Sequence, residues 1–178
     1  NAILAVAVPI QVDEVWIAVA WSVQAFALMS LSFRLKVVEM RWISMGVLAI
    51  LFVRLLIFDT SINFTMWDAE SGTWVSRRFT LFLNYRMLAF ASGIAAFYGA
   101  AFMLHRLRGG LQSWEKKELF IALLVAANVL TLWILSAEVI AAVDSQIIDV
   151  SGRTAEHVTS LSLSLLWAVY ASLILVAG

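Results

Sequence analysis

Cysteine is missing from this chain of 178 residues, and proline nearly so. Without Cys there can be no disulfide, no thiolate metal site and no cysteine nucleophile. Pro9 is the single proline, so kinked or broken helices are not expected downstream of it. Two histidines, His105 and His157, are too few for a histidine-rich metal site without several carboxylates. Charge is also scarce, at 13% of residues, and its signs cancel at 12 basic against 12 acidic. There is thus no basic excess to bind nucleic acid and no acidic tail. No Gly-rich phosphate loop, Ser/His/Asp set or H-E-x-x-H pattern is present. No cofactor, metal or nucleic-acid partner is expected.

What remains is oil. Apolar side chains make up 63% of the chain and mean hydropathy is +0.94, against the roughly 45 to 50% apolar share of soluble domains. The organising stretch is RWISMGVLAILFVRLLIFD at 41–59, an apolar run that carries Arg54 near its far end. Five runs, about 16–33, 42–58, 85–104, 119–143 and 158–177, approach or meet the roughly 17 to 25 residues that cross a bilayer. They are too apolar all round for the alternation of a β-barrel. The expected fold is all-α: a polytopic transmembrane bundle of five full spans, with residues 2–10 as the remnant of a preceding helix. The oily ends at Asn1 and Gly178 read as cuts in a longer protein, so the expected partners are the lipid bilayer and further helices of the same protein.

Orientation follows from the connections. Arg34, Lys36 and Arg41 lie between the first two runs, and Arg106, Arg108, Lys116 and Lys117 between the third and fourth. The opposite side has only Arg77, Arg78 and Arg153 outside the helices. The positive-inside rule then makes 34–41 and 105–118 cytoplasmic and 59–84 and 144–157 periplasmic. The 26 residues from 59 to 84 form the only long connection. Trp67 and Trp74 flank its DAESG, which suits a hairpin or short helix on the outer surface or a lid over an outward site.

Charge buried in lipid is costly and marks sites to watch. Counting along the helices places Arg54, Asp59, Arg86, Glu138 and His157 in one layer near the outer boundary, with Glu138 the natural partner of Arg54 or Arg86. The layer reads as a structural ion-pair network with snorkelling arginines, as an anion or headgroup site, or as a proton path. Gln24, Asn128, Ser162, Ser164 and Tyr170 are the sparse deeper polar groups, better suited to interhelical hydrogen bonds than to a wide channel. In the third run Ala91, Ala95 and Gly99 recur every four residues, a small-residue ridge that should make this helix the packing centre.

The pieces VWIAVAWSVQAFAL, RWISMGVLAILFVRLLIFD, LNYRMLAF, LLVAANVLTLWILSAEV and SLSLLWAVYASLILVAG cover most of the chain. In them it resembles the bacterial multi-pass membrane family known as domain of unknown function 2339. The resemblance implies a many-helix protein of the bacterial inner membrane and brings no activity, cofactor or site. The function expected is a non-enzymatic scaffold or transporter module of the envelope. The alternative is a membrane-embedded enzyme acting on a lipid-linked substrate at the outer leaflet, using Asp59 or Glu138 as acid and Arg54 and Arg86 to bind phosphate.

Overall fold

The computed structural model describes residues 14–61, 65–68, 73–76, 84–107, 115–144 and 155–177. The expected helix remnant at 2–10 lies outside them. Five long helices carry the fold: α1 (Glu14–Leu35), α2 (Val38–Ile57), α3 (Tyr85–Arg106), α4 (Phe120–Asp144) and α5 (Ala155–Ala177). Each is long and apolar enough to cross a membrane, over stretches of 20 to 27 residues. A 3-10 turn, Asp59–Ser61, closes α2, and a π turn, Glu115–Leu119, leads into α4. The long connection contains a hairpin, β1 (Thr65–Asp68) paired antiparallel with β2 (Thr73–Ser76). Its register sets Trp67 opposite Trp74, so this pair of short strands is the one departure from an all-helical chain among the described residues.

The chain falls into two compact units, Asn1–Thr60 with Tyr85–Thr131, and Ser61–Asn84 with Leu132–Gly178. In the first unit, α1 is the hub. It packs along both α2 and α3, whereas α2 and α3 meet over a shorter length. The buried positions of α1 explain why: Ala18, Ser22, Ala25, Met29 and Ser32 are spaced four, three, four and three apart. That spacing keeps one seam facing its neighbours, and four of the five residues are small enough to bring the backbones close. Ser44 of α2 donates to the Ala25 carbonyl across the seam at 2.7 Å, and Ser22 lies 3.3 Å from Ser92 of α3.

On α2 the seam is Arg41, Ser44, Leu48, Leu51 and Leu55. On α3 it includes Ala89, Gly93, Ala96 and Ala100. The expected ridge of Ala91, Ala95 and Gly99 is not this seam, since Ala91 and Ala95 are exposed. Gly99 alone of the three is used, with Phe26 of α1 so near that a Cβ would stand 2.7 Å from its ring. Gly93 does the same for Leu55 of α2. The first unit buries leucines and Phe90 among its small residues and still leaves large apolar side chains outside: Trp42, Ile43, Ile50, Val53 and Phe102 are all about half exposed or more. A soluble bundle would cover so much exposed apolar surface; a surface solvated by acyl chains need not.

In the second unit, Trp167 of α5 donates its Nε1–H to Ser136 of α4 at 3.0 Å. The far end of α5, Ala171 to Val176, is exposed throughout.

Candidate functional site

One end of the first unit is built by the last turn of α2. Arg54 points along the helix toward the 3-10 turn, where its Nε stands 3.3 Å from Oδ2 of Asp59. The pair is local, five residues apart, so the helix end itself sets its geometry. The Phe58 N–H closes on the Arg54 carbonyl at 2.8 Å, and the Thr60 hydroxyl donates to the Leu55 carbonyl at 3.0 Å. These bonds satisfy carbonyls that a bare helix end would leave open. From α1, the ring of Trp21 takes the Arg54 guanidinium at 5.5 Å from its centroid, a distance at which the ring quadrupole attracts a cation.

The result is a covered ion pair. The Asp59 side chain is 2% exposed and that of Arg54 18%. Such a pair is hard to break, because removing either partner strands the other charge away from water. Asp59, the residue proposed as an acid for outer-leaflet chemistry, thus has almost no surface to offer a substrate.

Glu138 belongs to the second unit. It lies on α4, is 1% exposed, and both its carboxylate oxygens accept from the Asn84 side-chain amide at 3.0 Å. Asn84 immediately precedes α3, so one amide ties the end of the long connection to the buried acid. Sequence counting pointed to Glu138 as the partner of Arg54 or Arg86 and passed over Asn84, which lay at the edge of an apolar run.

Arg86 is buried in the first turn of α3, with 5% of its surface exposed. It stands seven residues before Gly93, against which Leu55 packs. At a rise of about 1.5 Å per residue, that is about 10 Å further along α3 than the α2 contact. His157 is exposed near the start of α5, in the second unit. Of the five residues expected in one layer, the structure joins Arg54 and Asp59 directly and gives Glu138 a neutral amide donor. Among the described residues no group of three His, Asp or Glu could hold a metal ion.

A second cation also proves to be buried. Arg41, read from sequence as part of a cytoplasmic connection, lies in the first turn of α2 with 5% exposure. Its guanidinium sits 4.8 Å from the ring centroid of Phe33 on α1. No family model matches this chain, and no curated protein and no solved structure matches it either.

Proposed function

We propose that this chain is a multi-pass module of a bacterial inner membrane whose charged residues hold helices together rather than act on a substrate. It is a non-enzymatic scaffold, or the packed part of a transporter for an envelope component. The observation that carries this reading is the covered Arg54–Asp59 pair beside Trp21. An enzyme working at the outer leaflet would need that carboxylate or Glu138 open to a substrate, and both are buried. The resemblance to the family of unknown function fits the same location and adds no chemistry. In this reading 34–41 and 105–118 face the cytoplasm and 59–84 and 144–157 the periplasm, as the distribution of cations favours.

The test compares Arg54→Gln, Asp59→Asn and their combination in the full chain, by thermal unfolding in detergent. A structural pair predicts that each single variant melts well below the parent and that the combination costs less than the two losses added together. Single variants that melt with the parent would sink the reading, since the pair would then exist for something other than the fold.

A further inference from the structure

The opposite end of the same unit leaves its cations uncovered. Arg34 in the last turn of α1, Lys36 beyond it and Arg106 in the last turn of α3 are all exposed, and none of the three forms an ion pair among the described residues. The register of the helices brings Arg34 and Arg106 to one level. Ser22 meets Ser92, Phe26 meets Gly99 and Ser30 meets Met103, so α1 and α3 run parallel with an offset of 70 to 73 residues. Arg34 and Arg106, 72 apart, extend that ladder by one turn.

Helical geometry also sets them on one face. At about 100° per residue, Arg34 falls on the exposed side of the Phe26–Ser30 edge of α1. Arg106 falls on the exposed side of the Gly99–Met103 edge of α3, and the opposite side of each helix is buried. Between them runs a shallow furrow whose floor is Phe26 over Gly99. Its wall on α3 includes Phe102, 58% exposed. Arg106 stays at the rim, its guanidinium 5.8 Å from the Phe102 ring.

Lys36 adds an argument from the backbone. Its φ is 56°, and the Val37 N–H reaches the Ser32 carbonyl at 3.1 Å, the bond that ends a helix through a left-handed residue. Glycine takes that position without penalty, whereas a lysine is strained there. The chain keeps a cation at a place where its conformation is unfavourable.

We propose that Arg34, Lys36 and Arg106 bind the phosphate headgroup of one anionic phospholipid whose acyl chain lies in the α1–α3 furrow. Charge complementarity selects the headgroup. The apolar furrow directly beneath it selects a lipid over a free phosphate ion. The proposal rests on insertion in a membrane, the first half of the functional reading above, and not on the absence of catalysis.

The experiment is native mass spectrometry of the full chain, delipidated in detergent and titrated with phosphatidylglycerol or with phosphatidylcholine of the same acyl chains. The parent should retain phosphatidylglycerol preferentially, and Arg34→Gln and Arg106→Gln should each weaken that preference by about fivefold, the effect of one cation near a lipid surface. Lys36→Gly separates binding from folding: it should raise the melting temperature while lowering phosphatidylglycerol retention. Inorganic phosphate at equal concentration should not displace the lipid. Equal retention of the two lipids, displacement by phosphate, or unchanged preference in all three variants would overturn the proposal. Carbonate extraction of membranes tests insertion separately. A chain released by carbonate would refute the membrane reading itself, while a chain that stays inserted but shows no lipid preference refutes only the headgroup site.

Discussion

The two ends of the first unit treat arginine in opposite ways. At one end Arg54 is drawn to Asp59 on its own chain and stacked by Trp21, and helices α2 and α3 are closed together by Leu55 against Gly93. At the other end Arg34, Lys36 and Arg106 are exposed, and on the face of α2 turned away from the seam Gly46 has no atom within 4 Å of where a Cβ would stand. The same residue types thus serve as an internal clasp at one end and as a free charged rim at the other. What separates the cases is burial: Arg54 and Asp59 are covered, and Arg34, Lys36 and Arg106 are exposed. A cation inside a spanning segment must find a partner within the protein, whereas one at a helix tip can be left to headgroups and water.

The largest effect expected from breaking this contrast is at the clasp. Arg54→Gln should destabilise the chain by about 3 kcal/mol, at the low end for a broken buried pair because Arg54 is itself partly exposed. Arg34→Gln should change stability by less than about 0.5 kcal/mol, as surface substitutions do. Thermal or denaturant unfolding in detergent measures both, and equal losses would erase the distinction between the two ends.

Next in size is the glycine pair. Gly93→Leu drives a side chain into Leu55 and should cost about 1 to 3 kcal/mol, the range for overpacking a filled site. Gly46→Leu enters open space and replaces a poor helix former, so it should be neutral or stabilising by up to about 1 kcal/mol. A large loss at Gly46 would mean that another surface covers that face of α2.

In the second unit, Asn84→Ala removes two hydrogen bonds to a buried carboxylate and should cost about 2 kcal/mol. Adding Glu138→Leu should recover part of that loss, because the buried carboxylate that Asn84 serves is then gone. The comparison to make is Asn84→Ala alone against the double variant, and no recovery would mean that Glu138 is not what Asn84 serves.

Smaller than these losses is the gain of about 1 kcal/mol expected for Lys36→Gly, from releasing a side chain held at positive φ. Its orientation can be read from the same residue. Because the chain has no cysteine, Lys36→Cys and Glu156→Cys give single labelling sites, and an impermeant maleimide should reach the two from opposite sides of the membrane. Labelling of both from one side would break the proposed topology.

The helices themselves were legible because length and apolarity suffice to find a span. The expected run at 85–104 became Tyr85–Arg106, and that at 119–143 became Phe120–Asp144. Tips were harder: the run at 42–58 begins four residues earlier, at Val38, which carries Arg41 from a connection into a buried helical turn. The packing faces could not be read in the same way. Helices that are apolar on every side carry no contrast between core and surface, so the spacing of Ala91, Ala95 and Gly99 looked as good as that of Ala89, Gly93, Ala96 and Ala100. Only contact with α1 and α2 distinguishes them.

By itself the amino-acid sequence determined where among the described residues the five helices long and apolar enough to cross a membrane would lie, because transfer from water to oil depends on composition and length alone. Tertiary structure decided the partners: Asp59 and Trp21 for Arg54, Asn84 for Glu138, Phe33 for Arg41. Pairing depends on which face of each helix turns inward, and in a chain oily on every face that choice is made by the fit of small residues between helices.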